Sequence, residues 1–333
     1  YTTIDDPSAF FKCHLYSGNG STNAQTFADT DTDMQPDMVW IKSRSDGFSH
    51  MLYDAVRGVQ KHIKPDSEAA EATDANSLTA FGSDGFTVGT NSDLNNSGDT
   101  YVAWCWKESA TAGFDILSYS GTGSARTQAH SLSAKPNWII VKKTSASGGS
   151  WFVYLTGGIP ATNYVKLNET GATSASSSMW NNTEPTSSVF SLGTSSDVNG
   201  DGVTYVAYLW RSVQGFSKIA GSYVGNGNAD GPMVYTGFSP AYVVVKNAGG
   251  DEAWNVWNNK TPGYNVANKN LQPNSTVAEQ TSSAGVKEID FLSNGFKIRG
   301  SNTELNQSGN THIYMAFAEA PFVNSNGVPC TAR

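Results

Sequence analysis

Charge is scarce in this 333-residue chain: Asp, Glu, Lys and Arg together make up 15%, against about 25% in an ordinary globular protein. The 21 basic residues are outnumbered by 29 acidic ones, giving a net charge of −8. The sequence has no basic stripe of the kind a duplex nucleic-acid binder needs, so no nucleic acid is expected as partner. No apolar run approaches the roughly 18 residues that span a bilayer, which argues against membrane insertion by a helix. Cysteines number three, Cys13, Cys105 and Cys330, too few for a disulfide scaffold. Cys13 and Cys105 lie in strand-like runs that could face each other, but the odd count reads as free, buried thiols. No His has a His or Cys partner at metal-ligand spacing. No basic region followed by an apolar stretch marks a signal peptide, and a start at Tyr1 reads as a processed chain or a piece of a longer one.

In place of charge stand 33 glycines, long Ser/Thr/Asn stretches and nine tryptophans, with aromatics at 11%. Disordered chains lack aromatics and carry high net charge, so a folded chain is expected. Internal repetition dominates the pattern. Tyr16-Ser-Gly18-Asn-Gly20 returns as Tyr119-Ser-Gly121-Thr-Gly123 and as Tyr223-Val-Gly225-Asn-Gly227. A proline-led apolar run ending in lysine follows each time: Pro36 to Lys42, Pro136 to Lys142 and Pro240 to Lys246. Next come His50-Met-Leu52-Tyr53, Trp151-Phe-Val153-Tyr154 and Trp254-Asn-Val256-Trp257. Ile63-Lys-Pro65-Asp-Ser67 matches Leu271-Gln-Pro273-Asn-Ser275 and, more loosely, Leu167-Asn-Glu-Thr170. Phe86, Phe190 and Phe296 precede closing runs that align without a gap: Asn95 to Trp106, Asn199 to Trp210 and Asn306 to Phe317.

Short runs rich in Val, Ile, Tyr, Trp and Phe between Gly/Asn/Asp/Ser clusters read as strands. The expectation is an all-β chain of three tandem β-sandwich-like repeats of roughly 100 residues each. Their bounds are 1–110, 111–213 and 214–323, with a tail over 324–333. Connections over 107–113 and 211–215 have the length of ordinary loops, so the repeats should pack as a stiff body. Tyr101 to Trp106 is apolar at every position, which suits a strand covered on both faces. Asp66 to Ala75 has good helix formers but no apolar stripe, which predicts at most a helical turn within a loop.

Each candidate for chemistry has a structural alternative. His50 and His312 stand in columns that are Trp or Tyr in the sister repeats, so packing explains them; His14, His62 and His130 form no triad. Asp197-Val-Asn199-Gly-Asp201-Gly202 resembles the start of a calcium loop, but its twelfth position is Tyr208 instead of a bidentate Glu. Asp29-Thr-Asp31-Thr-Asp33 reads as a solvated acidic loop. The Gly18-Asn-Gly20 copies lack the helix and the Gly-Lys-Ser/Thr ending of a phosphate loop, and read as hairpin glycines. A glycosidase needs two carboxylates in one cleft; Asp54, Glu68, Glu71, Asp84, Glu108 and Asp115 supply carboxylates in repeat one, but the sister columns lack most of them. No catalytic residue, metal or cofactor is therefore assigned, and the chain is read as a non-enzyme. The columns Trp40/Trp138/Tyr242 and Tyr53/Tyr154/Trp257 read as core. Two aromatics outside the columns, Trp180 and Tyr264, are the surface candidates for stacking on a sugar ring. Seven Asn-x-Ser/Thr triplets, at Asn19, Asn95, Asn168, Asn181, Asn259, Asn274 and Asn306, follow from composition and matter only in a glycosylating pathway.

Asp6-Pro7-Ser8-Ala9-Phe10-Phe11, Gln35 to Lys42, His50 to Gly58, Phe81 to Phe86 and Thr100 to Trp106 together resemble a domain of tailed-phage structural proteins, found mainly in marine phages and prophages and associated with tail fibres. The match is dense over residues 6–107 and thins to a shared skeleton over 114–213 and 216–322, where the Asp54-Ala-Val-Arg-Gly58 stretch has no counterpart. The resemblance implies a virion component, and hence a virion or extracellular location. Expected partners are other virion proteins, further copies of the chain in a homo-oligomer, and the host-cell surface, including its glycans. Capsid decoration or filament formation, a polysaccharide depolymerase and a secreted carbohydrate-binding protein are the alternatives.

Overall fold

The computed structural model describes residues 2–27 and 32–330. It is an all-β protein in which each third of the chain builds one main antiparallel sheet. The order in the first is Phe11–Ser17, Thr100–Trp106, Met38–Ser43, Met51–Asp54. The second runs Phe114–Ser120, Thr204–Trp210, Trp138–Lys143, Trp151–Leu155, extended by Asn163–Lys166 and Ser174–Ala175. The third runs Ser217–Val224, Thr311–Pro321, Phe238–Asn247, Asn255–Asn258. A smaller sheet covers one face of each: Asn23–Thr26 with Gly85–Val88 and Leu78–Gly82, Arg126–Ala129 with Val189–Leu192, and Met233–Tyr235 with Gly295–Ile298 and Ile289–Leu292.

Because side chains alternate along a strand, each main sheet serves two cores. Tyr101, Ala103 and Cys105 point into a core private to the first third, while Val102, Trp104 and Trp106 join one that all three thirds build together. Phe114, Trp138, Trp151, Tyr208 and Trp210 enter it from the second third, and Tyr242, Val244, Trp254, Met315 and Phe317 from the last. This explains why Tyr101 to Trp106 is apolar throughout. Buried aromatics such as these each contribute about 3–5 kcal/mol on truncation.

Hydrogen bonds knit the thirds in cyclic order. The Trp151 indole donates to Lys64 O at 3.0 Å and the Trp254 indole to Lys166 O at 2.9 Å. His50 closes the circle through Nε2 to Gln272 O at 2.9 Å. Its Nδ1 accepts the Trp40 indole N–H at 2.9 Å, so His50 is the neutral Nε2–H tautomer and donates where its sister columns use tryptophan. Burial, aided by the Lys42 charge, pushes its pKa down to about 3. A second set of bonds runs the other way around: Glu71 N to Thr144 O, Thr173 N to Ala248 O and Glu279 N to Arg44 O, at 2.9, 3.0 and 2.9 Å. Arg44 adds a two-pronged ion pair to Glu279.

Several expectations are corrected. Residues 66–75 form no helix: a two-residue strand, Ala72–Thr73, pairs with Lys61–His62, and Glu71 is held on the neighbouring third. With no apolar stripe to bury, this stretch gains more from those backbone partners than from a helical turn. The counterpart of Ile63 is Val165, not Leu167, since Val153 pairs with Val165 as Leu52 bridges Ile63. The Gly-x-Gly segments are corners between two sheets, not hairpins: Phe11–Ser17 and Asn23–Thr26 lie in different sheets. A Cβ on Gly18, Gly121 or Gly225 would sit 2.0, 2.2 or 2.3 Å from a backbone carbonyl oxygen, so only glycine fits there. Each corner is clamped by a fully buried asparagine, Asn95, Asn199 or Asn306, at the end of a one-turn helix. Asn199 accepts from Thr122 N at 3.0 Å and donates to Ser124 O and Gly193 O at 2.7 and 2.8 Å. Cys13 lies opposite Trp104 and not Cys105, and all three cysteines are free.

Candidate functional site

The two aromatic candidates part company. Trp180 is buried, at 2% exposure, edge-on to Tyr154 with ring centroids 5.9 Å apart. Gly193 N bonds Met179 O as Gly89 N bonds Ser77 O, so Trp180 fills the core position that Leu78 holds in the first third. Its polar neighbourhood in sequence, Ser176 to Thr183, masks a one-turn helix whose apolar side faces inward. Tyr264 is 83% exposed, on a loop anchored by its neighbour: Asn265 donates to Phe291 O and accepts from Phe291 N, both at 2.8 Å.

The carboxylates of the first third do not converge on an open cleft. Asp54 is fully buried and bonds Arg57 at 2.5 Å and the Tyr208 hydroxyl of the second third at 2.6 Å. Glu71 reaches the same Arg57 at 3.4 Å. Glu68 accepts from the Ser150 hydroxyl at 2.7 Å, and Asp84 from Met34 N at 3.1 Å. The Asp54-Ala-Val-Arg-Gly58 stretch thus ties two thirds together.

Glu108 lies close to Asp115, and its carboxylate accepts from Ile116 N at 3.4 Å. Burial first, then the neighbouring Asp115 and Asp37 carboxyls, push the Glu108 pKa up to about 7. A carboxyl raised above its unfolded value of 4.5 gives stability that is complete below that value and lost as pH rises through 7. Wild type should therefore lose thermal stability relative to Glu108→Gln between pH 5 and 8. Solvent screening holds the difference to about 1 kcal/mol. A difference that stays flat with pH removes this assignment.

His312 stacks on Tyr223 with centroids 5.1 Å apart, as Tyr101 does on Tyr16. His14 bonds Gln25 at 3.1 Å, and burial lowers the pKa of His62 and of His130. Asp197 lies in the one-turn helix Ser196–Asn199, and Tyr208, at the would-be twelfth ligand position, is in the shared core. Asp29 and Asp31 lie outside the described residues. Among the described residues no group of three or more His, Cys, Asp or Glu is placed to hold a metal ion, and no helix is long and apolar enough to cross a membrane.

One feature escaped sequence reasoning. A cleft of about 440 Å³ opens where the second third meets the last, lined by Gln214, Lys218, Tyr235, Thr236 and Phe322 among others. Tyr235 is 60% exposed, on a strand at the edge of its small sheet.

No curated protein and no solved structure is matched by the sequence. A family model, described as a domain of unknown function, DUF7483, matches residues 6–321. That span takes in all three main sheets and both connections between them, and the chain therefore belongs to the DUF7483 family.

Proposed function

We propose that the chain is a non-catalytic structural module of a tailed-phage virion, a fibre or spike component that touches glycan on the host surface. The observation that carries this reading is the anchored loop that holds Tyr264 outward: a tyrosine ring offers an apolar face and a polar rim, which match a pyranose. The likeness of residues 6–107 to tailed-phage structural domains supports the virion setting. The cyclic hydrogen bonding supports a stiff body, which a load-bearing arm needs. In the test, labelled protein is presented to bacterial cells with and without periodate oxidation of surface glycans. Saturable binding should be abolished by periodate and weakened about tenfold by Tyr264→Ala, a loss of about 1.4 kcal/mol. Binding that is absent, or indifferent to periodate, overturns the reading.

The last third also exposes Val224 and Met233, and exposed apolar side chains favour association with further copies or other virion proteins. Capsid decoration or filament formation is the second reading on this ground. A single sharp monomer by mass photometry counts against self-assembly.

A further inference from the structure

The three junctions between thirds share one geometry and differ in charge. At each, the residue two places beyond the last aromatic of the closing run lies near the second residue of the next third's first strand. Those pairs are Glu108 with Asp115, Ser212 with Lys218, and Glu319 with Lys12. The strand registers fix the correspondence: Lys12 lies opposite Cys105, Asp115 opposite Leu209 and Lys218 opposite Ala316. The backbone contact recurs as well, since Ile116 N approaches the Glu108 carboxylate and Ile219 N the Ser212 hydroxyl, at 3.4 and 2.9 Å.

Glu319 and Lys12 line a hollow of about 150 Å³ that therefore carries charges of both signs. At the middle junction serine replaces glutamate. Its hydroxyl is occupied by Ile219, accepting from the N–H and donating to the carbonyl at 3.1 Å, and the space widens to about 440 Å³. Among the described residues no carboxylate lines that cleft. Lys218 is exposed and has no hydrogen bond or ion pair among the described residues, in a protein whose net charge is −8. The exposed Gln214 side chain is likewise unengaged among the described residues, and the Gln214 carbonyl is held by the Thr2 hydroxyl at 2.8 Å. Tyr235 lies over Gly237: a Cβ built there would be 3.7 Å from the phenol oxygen and 3.8 Å from a ring carbon. The glycine backbone thus supports the ring at that point, and most of the side chain stays open to solvent.

We infer that this cleft is a subsite for a sugar residue bearing a carboxylate, a uronic or ulosonic acid. The Tyr235 ring takes the C–H face of the pyranose, the Lys218 ammonium takes the carboxylate as a point charge, and the Gln214 carboxamide and Tyr235 hydroxyl exchange hydrogen bonds with ring hydroxyls. An acidic protein repels an acidic polysaccharide over most of its surface, so an unneutralised cation in a lined cleft fixes where such a chain can settle. The inference rests on the glycan-contact reading and names the sugar chemistry and the place.

The test is a glycan array carrying uronic- and ulosonic-acid oligosaccharides, their carboxyl-reduced forms and neutral oligosaccharides, probed with the full chain. Acidic sugars should be retained and their carboxyl-reduced forms not. Lys218→Met and Tyr235→Ala should each lower apparent affinity at least tenfold, Lys218→Arg should keep most of it, and added salt should weaken it. Both positions are exposed, so melting temperatures should stay near wild type. Acidic-sugar binding that survives both variants overturns the inference. So does binding of neutral sugars alone, dependent on Tyr264, although glycan contact then stands. Retention of no sugar of either class overturns both.

Discussion

Asp54→Ala is expected to cost about 3–5 kcal/mol, because it leaves a guanidinium buried without its main counter-charge. The Arg57 side chain is 4% exposed, and besides Asp54 it meets Glu71 at 3.4 Å and the Leu52 carbonyl at 3.1 Å. Those contacts are too long or too weakly charged to replace a carboxylate at 2.5 Å. Removing both charges in Asp54→Ala/Arg57→Met should cost less than removing Asp54 alone, since no ion then stays unpaired in the interior. Tyr208→Phe deletes one neutral donor to that carboxylate and should cost about 1–2 kcal/mol. Urea titrations of the four proteins decide the matter. A single-variant loss under about 1 kcal/mol, or a double variant worse than the single, shows that the buried pair does not stabilise the fold in this way.

Asn199→Ala carries the other large effect. It removes one acceptor and two donors supplied by a fully buried side chain, leaving Gly193 O unpaired in the interior, while Thr122 N and Ser124 O lie nearer to solvent. With about 1–3 kcal/mol for a buried polar group left unsatisfied, the loss should reach about 2–3 kcal/mol. Asn199→Asp keeps the acceptor and should still fail, because a carboxylate facing two carbonyls repels them. The transition should remain single and shift as a whole: Trp104, Tyr208 and Met315, one from each third, pack in one core, so no third can melt alone. Calorimetry showing separate transitions, with only one displaced by the variant, contradicts the shared core.

Much of this architecture could be read from residue order. A run apolar at every position predicts a strand covered on both faces, and Tyr101 to Trp106 is such a run. The glycine and asparagine columns mark tight corners, although which sheets a corner joins depends on strand pairing that periodicity does not encode. The bonds between thirds were hidden for a different reason. Their acceptors are backbone carbonyls such as Lys64 O and Gln272 O, which every residue carries, so no side-chain pattern announces them. Trp180 misled because its neighbours are polar while its helical side is not. Tyr235 was missed although a signal existed: two places past the closing runs, Ser212 stands where the sister segments have Glu108 and Glu319.

The cyclic bonding has a topological consequence. Two of the three seams between thirds are crossed by the polypeptide, and among the described residues the third, joining the last to the first, is bridged by contacts such as Arg44 with Glu279, His50 with Gln272 and Ser325 with Asp5. All three seams share one pair of bonds, from the ring N–H of Trp151, Trp254 or His50 and from the backbone N–H of Glu71, Thr173 or Glu279. The packing therefore does not dictate where the ring of sheets is interrupted, and a circularly permuted chain opened within 107–113, with the present ends linked, would keep the bonds of Trp151, Trp254 and His50 between thirds while giving up the turn closed on Ser109.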